Sequence, residues 1–292
     1  MHSPDRACGA ATAVRKNRSA WGRAAGFVSR AHAVRKPFAA RRSRSAGWSA
    51  YLAALSVPVL VIAAVGHRAG LMDVTSTYSV MVVGFALAAL AVLAALVSFV
   101  SVWREGSRGL GRAIVGLVLG LAVLGLPARG AWQVVTLPRL TDISTDPNNP
   151  PALLAAVNDR GPGDAPIVQP DPAAVAMQLE AYPDIVSRHY PVSTARIYLE
   201  ARTIVDQRGW RVLSDVPPSD DDPSGSIEAV AQTLLFGFRQ DVAIRVTAEG
   251  DGGRVDMRSA SRSNAHDLGS DAQRVRRFFA DLDAALQGVT GN

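Results

Sequence analysis

Residues 78–102 read YSVMVVGFALAALAVLAALVSFVSV, an uncharged stretch from Tyr78 to Val102. Ala, Leu and Val follow one another on every side of a helix drawn through it, so no face is reserved for water. At 1.5 Å per residue its helix is about 37 Å long, enough to cross the roughly 30 Å of bilayer hydrocarbon. The stretch therefore reads as a transmembrane helix.

Two neighbours extend the pattern. Residues 48–66, from Trp48 to Gly66, are also free of charge. Residues 113–135 are uncharged up to Ala128 and then meet Arg129, whose long stem can carry its charge to the interface beside Trp132. Trp48, Tyr78, Trp103 and Trp132 fall at the expected water boundaries, as interfacial aromatics do. Three spans follow: about 48–66, 78–102 and 113–135. A cleaved signal peptide does not fit, because the first apolar run starts late and two more follow. No Asp, Glu, His or Lys lies within a span to mark an ion or proton path.

Charge sets the orientation. Residues 1–136 hold 16 Lys+Arg and 3 Asp+Glu, and residues 137–292 hold 15 and 22, so a net charge of +6 divides into +13 and −7. Eleven of the basic residues precede the first span, the loop 66–77 has only Arg68, and the loop 103–112 has Arg104, Arg108 and Arg112. Cytoplasmic loops carry the excess of Lys and Arg. An N-terminus inside and, after three spans, a C-terminal domain outside satisfy every loop. The expected setting is a membrane with the domain outside the cytoplasm.

Residues 1–47 form a basic tail of Arg, Ala and Ser with Asp5 as its one acid. It lacks apolar periodicity and reads as disordered cytoplasmic chain attracted to anionic lipid. An organellar transit peptide shares that composition, and a twin-arginine signal at Arg41-Arg42 lacks the apolar residues that should follow. The basic part is not a folded module, so no nucleic acid is expected as a partner. Cys8 is the single cysteine, which excludes an intrachain disulfide and a thiolate metal cluster. Gly116 and Gly120 in the third span allow close helix approach, either in a homodimer or within the chain.

After Leu137 the chain turns rich in Pro and Asp, and 136–180 reads as an extended linker to an α+β domain over 181–290. Ile197, Ala201, Ile204 and Val205 share a helical face that Gly209 ends. Strands are expected at 210–216, 226–236, 241–248 and 254–262. Ser270 is placed to cap a last helix with a core stripe of Val275, Phe278, Phe279, Leu282 and Leu286. The expected fold is thus membrane-anchored α+β: three transmembrane helices, then an antiparallel four-stranded sheet packed with two helices.

Three stretches give the C-terminal domain a resemblance to a bacterial family, domain of unknown function 1499. They are Asp142-Ile143-Ser144-Thr145-Asp146 before a proline pair, Gly237-Phe238-Arg239-Gln240-Asp241, and the block 254–278. The block reads Val255-Asp256-Met257-Arg258-Ser259-Ala260-Ser261-Arg262, then Asp267-Leu268-Gly269 and Arg274-Val275-Arg276. Gln240 stands where the family usually has a second acid, and Asn264 and His266 replace small residues. The resemblance implies an architecture, and its multi-span versions look like envelope proteins of Gram-negative bacteria, which implies a bacterial inner (cytoplasmic) membrane with the C-terminal domain in the periplasm. It implies no activity.

The last hairpin offers candidate site residues. If Val246 faces Val255 and Ile244 faces Met257, Arg245 lies opposite Asp256, and Asp256, Arg258 and Arg262 share that polar face. With Asp241 they form a candidate grip for a carboxylate, phosphate or lipid headgroup. The other reading is a cross-strand ion pair with solvated arginines on an open sheet face. Ser259, Ser261, His266 and Asp267 lack a nucleophile elbow. Asp220-Asp221-Asp222 lack the spacing of a calcium loop, and His189 and His266 alone do not build a zinc site. No cofactor or metal is expected. The partners expected are the bilayer and an anionic small molecule or envelope protein. The function expected is ligand binding or scaffolding without catalysis; the alternative is a hydrolase-like envelope enzyme that uses the polar hairpin face.

Overall fold

The structure is a computed structural model that describes residues 44–105, 109–169, 171–263 and 266–287. The basic tail up to residue 43, with Cys8, lies outside the described residues, as do Arg108 and Asn264.

Three helices, α1 (Arg44–Arg68), α2 (Val74–Glu105) and α3 (Leu110–Thr136), are long and apolar enough to cross a membrane. They run up, down and up, and their contacts are built on small residues. Leu60 of α1 touches the position of Gly84 in α2, and a Cβ on Gly116 of α3 would meet Ser49 Oγ of α1 at 2.0 Å. A Cβ on Gly120 would meet Val92 of α2 at 2.9 Å. Gly116 and Gly120 are therefore used for packing within this chain. Ser49 Oγ donates to the Ala91 carbonyl across α1 and α2 at 2.9 Å, a hydrogen bond suited to an apolar surrounding. Arg129 is exposed on α3, seven residues before that helix ends.

The domain that follows is α+β. Its elements are β1 (Asp142–Ser144), α4 (Leu154–Asp159), α5 (Pro172–Ala181), β2 (Arg188–Tyr190), α6 (Thr194–Gln207), β3 (Arg211–Val216), β4 (Gly225–Gln232), β5 (Arg239–Glu249), β6 (Gly252–Ser261) and α7 (Ser270–Gln287). The sheet is antiparallel, in the order β1-β6-β5-β4-β3, with β2 also paired to β6 beyond β1. It has six strands rather than the expected four. The two extra ones are three residues each, too short to show an alternation.

One face of the sheet carries the apolar core. Ile227 and Ala229 of β4, Val242, Ile244 and Val246 of β5, and Val255 and Met257 of β6 pack under α6 and α7. Both helical stripes expected from periodicity are buried there, with Phe278, Leu282 and Ile197 inaccessible to solvent. The start of α7 differs in detail. Asp267 fills the capping role, accepting from Gly269 N and Asp271 N at 3.0 Å each, while Ser270 Oγ accepts from Gln240 Nε2 at 2.6 Å. An aspartate has two oxygens for the free amides of a first turn, and a serine has one.

The second face is covered too. The Pro- and Asp-rich stretch expected as an extended linker contributes β1, α4 and α5, and its 142–168 portion crosses the polar side of β4, β5 and β6. Leu153 and Ala156 of this covering segment pack on Ala243 and Ala260 of the sheet. In α5, Gln178 accepts from Ser144 N at 3.1 Å and donates to Ser144 O at 2.6 Å. Its amide thus acts as a substitute strand on the outer edge of β1.

Candidate functional site

The β5–β6 register is the one the alternation predicts: Val246 faces Val255, Ile244 faces Met257 and Arg245 faces Asp256. The polar hairpin face is not open to water, because the covering segment lies over it. The five candidate residues form three separate ion-pair stations along that face.

At the turn end, Arg245 Nη2 and Nε donate to Asp256 Oδ2 at 2.8 and 3.1 Å. Arg245 also reaches the Asn149 carbonyl at 3.0 Å and Asp146 at 3.4 Å. Asp256 is fully buried, and Arg254 at 3.3 Å and the Ser187 hydroxyl complete its surroundings. In the middle, Arg258 Nη2 meets Asp142 Oδ2 at 2.6 Å and Nε meets Oδ1 at 3.0 Å. Its remaining N–H groups donate to the carbonyls of Pro151 at 3.3 Å and Val168 at 3.2 Å. At the far end, the fully buried Asp241 accepts from Arg160 Nε at 2.7 Å and Arg262 Nη2 at 2.6 Å. Arg262 then bridges to Asp159 at 2.7 Å and Asp164 at 3.4 Å.

The five candidate residues of this face are paired within the domain. The guanidiniums of Arg160, Arg245, Arg258 and Arg262 are each met by a carboxylate and by at least one backbone carbonyl, the arrangement that offsets the loss of water around a buried charge, while Arg254 Nε is buried without a hydrogen-bond partner. Arg211, then Arg262, hold the Asp159 carboxyl down to about 2. Burial opposes the charge of Arg262, and its bonds to Asp241 and Asp159 outweigh that, so its pKa rises. Glu228, nearly buried on the same face, accepts the N–H groups of Leu154, Ala155 and Ala156 at 2.9 to 3.1 Å. It ties the first turn of α4 to β4.

The partners that local sequence patterning does not reveal are Asp142, Asp146, Asp159, Arg160 and Asp164, all within the stretch that reads as a linker. A signal was available: four acids precede a sheet face that carries Arg245, Arg258 and Arg262. Loop acids usually face water, which hid the match.

The residues weighed as a hydrolase set do not meet as one. His266 Nε2 faces the Leu137 carbonyl at 3.1 Å, and Nδ1 accepts from Leu268 N at 3.0 Å. Both ring nitrogens serve the backbone, and the ring is half-buried. Ser259 Oγ lies on the opposite face of the sheet, donating to Asp271 Oδ1 at 2.7 Å. Asp271 is fully buried, and burial, countered by Arg274 at 2.9 Å, pushes its carboxyl up to about 8.

A cavity of about 310 Å³ lies between the α1–α2 turn and the domain, with Asp73, Asp159, Asp164, Arg239 and Arg262 in its wall. Three carboxylates against two guanidiniums do not favour an anion there. Among the described residues, no group of three His, Cys, Asp or Glu is placed to hold a metal ion.

The domain is fastened to one end of the helix bundle at two points. Arg68, the last residue of α1, donates to the Thr233 carbonyl at 3.0 Å and to that of Leu234. Gln133 of α3 donates to the Leu268 carbonyl at 3.0 Å, in a turn where Leu268 itself has φ +55.

Residues 142–282 match the family model described as Protein of unknown function (DUF1499). The match begins at the first residue of β1, so it takes in the covering segment as well as the sheet. Among solved structures, the crystal structure of CalU16 from Micromonospora echinospora is 13% identical, covering 33% of this chain and 72% of that one, at a TM-score of 0.22. No curated protein matches the chain.

Proposed function

We propose that this protein is a non-catalytic bacterial inner-membrane protein whose DUF1499 domain stands in the periplasm as a rigid platform for an envelope partner. The observation that carries the reading is the closure of the polar face. Arg245, Asp256, Arg258, Arg262 and Asp241 spend their hydrogen bonds on the covering segment and on one another. A site for an anion needs donors still free to grip it, and a catalytic carboxylate needs access to substrate. Rigidity is what such a network supplies, and a rigid body fixed at two points to the helix ends suits presentation of a surface. The placement outside the cytoplasm rests on the three-loop charge pattern and on the odd number of spans.

The test is photo-crosslinking of the intact protein in its own membrane, from probe residues on the exposed surface of α6, with a reporter fused to the C-terminus. The reading requires a discrete adduct with one envelope protein and a reporter active only outside the cytoplasm. Adducts with lipid alone, or a reporter active in the cytoplasm, would overturn it.

A further inference from the structure

We propose that the β4–β5 loop, residues 233–238, is a second membrane contact: it dips into the interfacial layer of the leaflet on which the domain sits. The loop reads Thr233-Leu234-Leu235-Phe236-Gly237-Phe238. Leu234 and Leu235 are 88% and 56% exposed. Elsewhere in the domain exposed apolar residues such as Leu199 and Val216 stand singly, and Leu154 and Val157 pair one turn apart on α4, which is ordinary for a protein surface. A contiguous apolar tip with Phe236 beside it is not.

Depth is fixed by contacts with the helices. Twenty residues separate Trp48 from Arg68, about 30 Å along the α1 axis, so an aromatic belt at Trp48 puts Arg68 at the opposite edge of the hydrocarbon. Arg68 holds the carbonyls of Thr233, Leu234 and Leu235. Phe238 stacks on Tyr78 with ring centroids 5.3 Å apart and an interplanar angle of 29°. It also lies 5.0 Å from the His67 ring. Tyr78 and the exposed Trp132 mark the interfacial belt of α2 and α3, and Phe238 shares that level. Leu71, 81% exposed in the α1–α2 turn, extends the same apolar rim.

The backbone is prepared for such a place. Non-helical chain near lipid must have its polar groups paired. Within the loop, Thr233 N donates to Phe238 O at 3.0 Å, Gly237 N to Thr233 O at 3.1 Å, and Phe238 N to Thr233 Oγ1 at 2.9 Å. Arg68 takes the outward carbonyls. It can approach because position 237 is glycine: φ is +72, and a Cβ there would lie 2.6 Å from Arg68 Cγ.

The opposite end of the sheet has the opposite character. Asp220, Asp221 and Asp222 precede β4, and Glu249 and Asp251 flank the β5–β6 turn. Eight residues of β4 put about 26 Å between those acids and the apolar loop. The domain is thus polarised from an acidic far end to an apolar membrane end.

The test uses the full chain with Cys8→Ser, reconstituted in vesicles of phosphatidylethanolamine and phosphatidylglycerol. A nitrobenzoxadiazole label is placed at Leu235→Cys, at Leu234→Cys as a second tip position, and at Asp221→Cys as the far-end reference. Lipids spin-labelled near the headgroup should remove most of the emission at 234 and 235 and leave 221 bright, while aqueous iodide should do the reverse. Iodide quenching at the tip equal to that at 221 would overturn the proposal. So would a tip shielded from both quenchers, which would assign the patch to a contact between copies of this chain.

Discussion

Arg258, at the middle of β6, holds Asp142, the first residue of β1, through hydrogen bonds of 2.6, 3.0 and 3.2 Å to both carboxylate oxygens. Arg258 is 4% exposed. This pair joins the covering segment to the centre of the sheet, and it makes the stretch 142–168 a layer of the domain.

Replacing Arg258 with Ala is expected to remove one partner of a buried pair and leave the Pro151 and Val168 carbonyls without their donor. The loss is about 3 kcal/mol, the low end for such a break. For a domain near 150 residues that lowers the melting point by roughly 10 °C. Arg258→Lys should restore only part of it, because an ammonium does not fit a carboxylate bidentately. Thermal unfolding of the purified full chain in detergent measures both. An unchanged melting point for Arg258→Ala would mean that the guanidinium is free to bind a ligand, and would return it to the candidate site.

The pair also marks where the sequence is legible. The Arg245–Asp256 pairing follows from strict alternation in 241–248 and 254–262, since a hairpin with one apolar face permits a single register. The three spans follow from length and lack of charge. Asp142 was out of reach for a different reason. It belongs to a three-residue strand followed by Asp146, Asn148, Asn149 and two prolines, a composition with no period. Its structure comes from partners more than a hundred residues away, and no local rule contains them. Asp159 and Arg160 likewise gain meaning only when Arg262 and Asp241, 103 and 81 residues further along, are placed above them.

Glu228 offers a test of how the covering segment is held. Its carboxylate replaces a capping side chain for α4, whose first residues supply none of their own. Glu228→Ala is expected to cost about 2 kcal/mol, because three N–H groups lose one shared acceptor. The effect should be local as well as global. Hydrogen exchange at the amides of Leu154, Ala155 and Ala156 should accelerate well before that of β5 and β6. Equal protection in both proteins would show that α4 does not depend on this carboxylate.

Asp271 sets a dependence of stability on pH that runs opposite to that of the surface acids. Its carboxyl titrates near 8 in the folded protein and near 3.8 when unfolded, because burial disfavours the charge more than Arg274 restores it. Between those values the folded state binds the extra proton, so stability must fall as pH rises. The contribution is complete below about 4 and is lost as pH passes 8. Asp159 acts in the other direction: titrating near 2 when folded, it stabilises above about 4, and that stability is lost as pH falls through 2. The difference between wild type and Asp271→Asn isolates the first effect, since Asn keeps an acceptor for Ser259 and has no proton to lose. Melting points of the full chain from pH 5 to 9 should decline for wild type and decline less for Asp271→Asn, so the variant gains on the wild type as pH rises. Parallel curves over that range would mean that Asp271 stays ionised beside Arg274 throughout, and that the Ser259–Asp271–Arg274 cluster is a plain salt bridge.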